Sequence, residues 1–217
     1  MSSELIRLLW ESFLETVVMV GLSGAIGAFF GIPLGILLNV TDAGGVHPMP
    51  VFNKILGWII NAVRSTPFII LLVAIIPLTR LIAGTSIGTA AAVVPLTISV
   101  APFIARLVET SLREVDRGLV EAAQAMGATN LQIVCKVLLP EARPGIVAGL
   151  TISLVSLVGY SAMAGAIGGG GLGDMGIRYG YQRFMPDVML AVVVILIVFV
   201  QVMQSLGDWV VRRLSHK

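Results

Sequence analysis

Charge is what this sequence has least of. Only 12% of its 217 residues are Asp, Glu, Lys or Arg, about half the share found in soluble globular chains. So few charges cannot cover a water-facing surface of ordinary polarity, so most of the chain must face lipid or other apolar helices. The net charge of +2 is too small to suggest a nucleic-acid partner. Cysteine is nearly absent. Cys135 stands alone, which excludes an internal disulfide, and it reads as a small apolar helix residue. His47 and His216 are the only histidines and neither lies near another candidate ligand, so no metal site is expected. The start of the chain carries Glu4, Glu11 and Glu15 where a signal peptide would be basic, and no such peptide is expected. A Gly-x-x-x-x-Gly-Lys phosphate loop is also missing, so nucleotide is not expected to bind in that way.

Apolar residues dominate instead, at 57% with a mean hydropathy of +0.98. A membrane-crossing helix needs about 20 mostly apolar residues, and five stretches qualify: 17–40, 55–79, 81–105, 144–167 and 188–211. They must be helical, because backbone polar groups in lipid have to be satisfied within the segment. The fold expected is an all-α integral membrane protein with five transmembrane helices. Residues 1–16 form an amphipathic segment that lies at the outer interface or runs into the first span. Its face of Glu4, Arg7, Glu11 and Glu15 opposes Leu5, Leu9, Phe13 and Val17. Residues 17–211 form the transmembrane domain and 212–217 a tail. Basic residues orient the chain. With the C-terminus in the cytoplasm, ten of the fourteen Lys and Arg fall inside; only Arg7, Arg80, Arg178 and Arg183 fall outside. The loop 106–143 is then cytoplasmic.

That loop has a legible local fold. Residues 119–126 are rich in good helix formers. Gly127 suits the left-handed conformation that closes a helix. Thr129 and Gln132 match a capping box opening a second helix. Pro140 is expected to end that helix near Leu139. Two such helices are too short to cross a bilayer and too apolar to float in water. They either pack on their own bundle or form a knob for a soluble partner.

The spans carry further patterns. In span four, Gly145, Gly149, Ser153, Ser156, Tyr160 and Met163 fall within a narrow sector of a helical wheel. This face either packs closely on another helix or lines a passage with Tyr160 and Met163 near its outer gate. In span one, Gly21, Gly24, Gly27, Gly31 and Gly35 share a face suited to close packing. Pro33, Pro67, Pro95 and Pro102 are expected to kink or break spans one to three. Arg64 can snorkel to the inner headgroups, while Ser65, Thr66 and Pro67 offer backbone groups to a passing solute. Gly168 to Gly173 is expected to begin a flexible outer loop that runs to Asp187.

Glu121-Ala122-Ala123, three residues, Gly127, nine residues and Val137-Leu138-Leu139-Pro140 resemble the EAA loop of ABC importer permeases. The resemblance implies that the helix ending at Gly127 docks into a cleft on an ATP-hydrolysing subunit. Glu121, Ala122, Ala123, Met126, Gly127 and Pro140 are then the coupling residues. Arg64 to Leu72, Gly84 to Gly88, Val94 to Thr97, Ala101 to Arg106 and Gly159 to Met163 are similar to the permeases of methionine importers, as is the five-span layout. The sequence departs from that pattern at Val115 to Arg117, where a proline is often found, and at Gln182 to Phe184. The resemblance implies an inner-membrane homodimer working with two ABC ATPase subunits and a periplasmic or lipid-anchored methionine-binding protein. The chain is then no enzyme and binds no cofactor; ATP and Mg are held by the ATPase. Ser65, Ser153, Ser156, Tyr160 and Met163 would line the path. Another amino acid or small solute is the nearest alternative. An ion-coupled transporter usually places ionisable residues at mid-membrane, and here only Arg64 comes close. No catalytic set of Ser/His, paired Asp or His/Glu lies within the spans.

Overall fold

The computed structural model describes residues 3–215. Met1, Ser2, His216 and Lys217 lie outside the described residues, and with them the end of the expected tail 212–217. Ten α-helices follow one another: α1 (Ser3–Thr41), α2 (Pro50–Ser65), α3 (Phe68–Ala74), α4 (Ile76–Ala83), α5 (Thr89–Arg113), α6 (Arg117–Ala125), α7 (Asn130–Ile133), α8 (Leu139–Ala164), α9 (Gly171–Met175) and α10 (Pro186–Leu214). Wider π-type turns join α7 to α8 (Val134–Leu138), extend α8 (Gly165–Gly169) and follow α9 (Gly176–Gln182). No strand occurs among the described residues.

Four helical stretches are long and apolar enough to cross a bilayer: α1, α5, the run Asn130–Gly169 and α10. The pair α2 and α3 makes a fifth if taken as one span, bent by 102°. The bend sits at Thr66 and Pro67, where Thr66 is extended (φ −81°, ψ 123°). Proline clashes with helical geometry in the residue before it, so the stretch 55–79 is three short helices and not one rod. Span three starts at Thr89, later than residue 81, because Gly84 and Gly88 take positive φ and separate α4 from α5. Pro33, Pro95 and Pro102 break nothing; α1 and α5 run through them.

α1 is a single rod of 39 residues, about 58 Å at 1.5 Å per residue, well beyond a ~30 Å hydrocarbon core. The segment 1–16, where described, is continuous with it. Leu9 there packs with Leu172, Met175, Val188 and Val192 at the start of α10. The most extensive contact in the fold is α1 on α5. A Cβ on Gly31 would lie 2.7 Å from the Ala101 carbonyl oxygen, and one on Gly35 would lie 2.7 Å from Val108 Cβ. Gly24 and Gly27 are similarly pressed by Leu154 and Val100, whereas Gly21 faces open space and is not part of this contact. Small residues let membrane helices approach this closely, and α5 is buried on several sides as a result.

The expected helix end at Pro140 does not occur. Val134–Leu138 widens into a π-turn in which the Leu139 N–H donates to the Val134 carbonyl, five residues back. This widening offsets the N–H missing at Pro140 and carries the helix on. The expected flexible loop at Gly168 is also absent. Gly168, Gly170 and Gly171 have φ of 95°, 79° and 76°, and these turns fold α9 back against the bundle. The Gly171 N–H donates to the Glu15 carboxylate at 2.6 Å and the Leu172 N–H to Thr16 Oγ1 at 2.9 Å. Leu172 and Met175 are fully buried beneath them.

Candidate coupling elbow and translocation face

The elbow below α5 is built by local rules. Asp116 caps α6, its Oδ1 accepting from the Gly118 N–H at 2.8 Å; it stands within Val115 to Arg117, the stretch that departs from the pattern of similar permeases. Gly127 has φ 79°, a conformation costly for any residue with a Cβ. The Thr129 hydroxyl accepts from the Gln132 N–H and the Gln132 side chain accepts from the Thr129 N–H, closing the capping box on α7. One face of the elbow is anchored. Ala123, Ile133, Val115 and Leu138 are buried in the main core. The other face is bare: Met126 is 82% exposed and Leu131 72%.

Among the expected coupling residues, Glu121, Ala122, Met126 and Gly127 lie on exposed surface, and Pro140 is half-buried in α8. Ala123 does not join them. It is buried at 4% exposure against its own chain, so it serves as the helix's inward anchor and not as partner surface. The reason is helical period: Ala123 is three residues from Val120, which also packs on the core. Glu121 stands on the rim of a polar cleft of about 520 Å³, with Arg113 and Arg117, between α6 and the 42–46 turn.

A charge cluster behind this cleft was not anticipated. Glu109 is 3% exposed and its two oxygens meet Arg106 and Arg113, each at 2.7 Å. Arg113 also reaches Asp42 at 3.2 Å, and Arg106 donates to the Gly57 carbonyl at 3.1 Å. The C-terminal end of α5, which leads directly into the elbow, is thereby tied to the 42–46 turn and to α2. The i, i+3 and i, i+4 spacing of Arg106, Glu109 and Arg113 was the readable signal.

The stripe on α8 divides along its length. Its N-terminal half is closed, with Gly145 against Ser111 and Gly149 against Leu107 of α5. Ser153 belongs to this half; it is 1% exposed and bonds the Gly149 carbonyl, so it does not face an opening. The C-terminal half is less covered. Ser156 is half-buried and Met163 is 47% exposed. Tyr160 stacks on Phe68 with ring centroids 4.9 Å apart and planes 14° from parallel. Phe68 sits just after the Pro67 break, so the bent pair α2 and α3 brings an aromatic ring onto this half of the stripe. Ser65 is exposed on the other side of the break, its hydroxyl donating to Ala62. Arg64, at 5.9 Å from the Phe103 ring centroid, is held by a cation–π contact.

This architecture has known counterparts. The chain is 57% identical over 203 residues to the probable D-methionine transport system permease protein MetI of Vibrio cholerae, covering 94% of this chain and 90% of the relative. Identity to the corresponding Pasteurella multocida protein is 46% over 213 residues, 96% of this chain and 98% of that one. Among solved structures, a chain of the inward-facing MetNI methionine ABC transporter matches with a TM-score of 0.98 and 50% identity, each chain covered completely. An amino acid ABC transporter shares the fold at a TM-score of 0.80, with 20% identity over 96% of this chain and 94% of that one. Residues 31–216 match the family described as binding-protein-dependent transport system inner membrane component, and the chain belongs to that family.

Proposed function

We propose that this chain is the permease subunit of an ATP-driven importer that moves methionine across the bacterial inner membrane. The observation that carries this reading is likeness along almost the whole chain to methionine permeases. Two copies of the chain enclose the path and two ATPase subunits lie beneath them. ATP and Mg belong to those ATPase subunits, and a methionine-binding protein delivers solute from outside. The N-terminus is outside and the C-terminus in the cytoplasm, which places the elbow on the ATPase side.

The geometry supports a mechanical role. A bare apolar face at Met126 and Leu131 on an elbow anchored by Ala123 suits docking in a cleft. When ATP closes the ATPase dimer, the elbow moves with it. Glu109 and its arginines pass that motion to α5, to the 42–46 turn and to α2. The Phe68–Tyr160 stack, at the outer half of α8, then opens or closes as the two copies tilt. Such a shift needs only that ATP favour one state of the assembly. An ion-coupled reading finds no support in Glu109, because that carboxylate is paired with two arginines.

The test is uptake of labelled L- and D-methionine in cells lacking other methionine importers and expressing this chain with its ATPase and binding protein. Uptake is expected, with other amino acids competing poorly. Absence of uptake for both isomers, with the complex assembled, overturns the methionine assignment. Glu121→Lys is expected to cut co-purification with the ATPase or uncouple hydrolysis from uptake; normal transport by that variant overturns the docking role.

A further inference from the structure

We infer that the outer end of the bundle holds a separate small-solute subsite, between α4, α5 and the π-turn after α8, that accepts a zwitterionic amino acid with an apolar side chain. The inference rests on the transport reading above and names a place on the route.

A cavity of about 230 Å³ lies there, the volume of roughly eight waters at ~30 Å³ each, which suits a single amino acid. Leu72, Ala91, Pro95 and Ile167 give it apolar walls. Leu72 and Ala164 stand one helical turn beyond Phe68 and Tyr160 on their respective helices, so the cavity adjoins the aromatic stack. Its polar groups are few and unspent. Thr79 is 4% exposed, and its buried hydroxyl has no hydrogen-bond partner. Such a group costs free energy unless something fills the site. Pro95 has no N–H, so the Ala91 carbonyl loses its helical donor. Arg80 is steadied by its Nε donating to Ser86 Oγ at 3.3 Å, which leaves its terminal nitrogens without a partner among the described residues. No acidic side chain lines the space.

These groups match the two ends of an α-amino acid. The Arg80 guanidinium takes the carboxylate, as planar guanidinium groups do. The Thr79 hydroxyl and the Ala91 carbonyl accept from the ammonium. The aliphatic or thioether side chain lies along Leu72 and Ile167. Ile87, 66% exposed at the mouth, marks the entrance.

The test uses the assembled permease–ATPase complex in nanodiscs containing phosphatidylglycerol, in a Cys135→Ser background. Ile87→Cys and, separately, Ala91→Cys report occupancy through their rate of alkylation by N-ethylmaleimide. L-Methionine is expected to slow alkylation at either position, and methionine methyl ester, which lacks the carboxylate, is not. Adding Arg80→Gln is expected to raise the protecting concentration about tenfold, the effect of losing one charge-assisted hydrogen bond. Thr79→Val is expected to weaken protection less. If methionine protects neither cysteine while the same complex still takes up methionine, the subsite is wrong and the transport reading stands. Protection that follows phosphatidylglycerol content and ignores methionine makes the cavity a lipid site and also overturns the inference.

Discussion

The two ends of the bundle are built from the same materials, short helices and positive-φ glycines, and finish in opposite states. At the end that carries α9, that helix is satisfied by its own chain. Glu15 and Thr16 accept the first two N–H groups, and Leu172 and Met175 are sealed in a core with Leu9, Val188 and Val192. At the elbow end, α6 and α7 are anchored by one face only, leaving Met126 and Leu131 bare. A glycine-rich turn thus says little about role. What distinguishes the ends is whether apolar side chains find partners within the chain, and an element left incomplete keeps a face free to meet another molecule.

This contrast breaks most visibly where the elbow end is tied to α2 and α5. Glu109→Ala removes the shared partner of Arg106 and Arg113 and is expected to destabilise the protein by about 3 kcal/mol, seen as a fall in thermal unfolding temperature in detergent. Glu15→Ala comes next. It strips the acceptor from the buried Gly171 N–H at a cost of about 1–3 kcal/mol. Hydrogen exchange should then rise across residues 170–173 while the elbow is unchanged; equal loosening at both ends would erase the distinction drawn here. Thr129→Ala removes the cap of α7 and should cost about 1 kcal/mol, with fraying confined to residues 128–133.

Much of this was readable in the sequence, for local reasons. Gly127, Thr129 and Gln132 act through neighbours a few residues away, and their geometry formed as their spacing implied. The glycine stripe of α1 is a one-helix periodicity, and four of its five members lie against α5 or α8. What failed was non-local. Pro140 reads as a helix end until the π-turn of Val134–Leu138 absorbs it. Gly168 to Gly173 reads as a tether because its acceptors, Glu15 and Thr16, lie 156 residues before the groups they bind. Ala123 and Ser153 were given partner-facing or path-facing roles by motif and wheel, but what covers a helix face depends on which neighbour packs there. Phe68 could not be placed on Tyr160 without knowing that Pro67 turns the chain by 102°.

The smallest effect on stability should come with the clearest effect on assembly. Met126 and Leu131 are 82% and 72% exposed, so changing either to Ser should alter stability by no more than about 0.5 kcal/mol. If the elbow docks on the ATPase, each substitution removes an apolar side chain from that interface. The loss is about 1.5–3 kcal/mol, a tenfold to hundredfold weaker complex. Met175→Ser is the matching change at the α9 end. Met175 is 2% exposed, so the same substitution should loosen α9 and lower the unfolding temperature while leaving ATPase affinity intact. Measuring unfolding and ATPase co-purification for all three variants tests the contrast directly. A Met126→Ser protein that unfolds early but binds its ATPase normally would mean the bare face belongs to the chain's own fold.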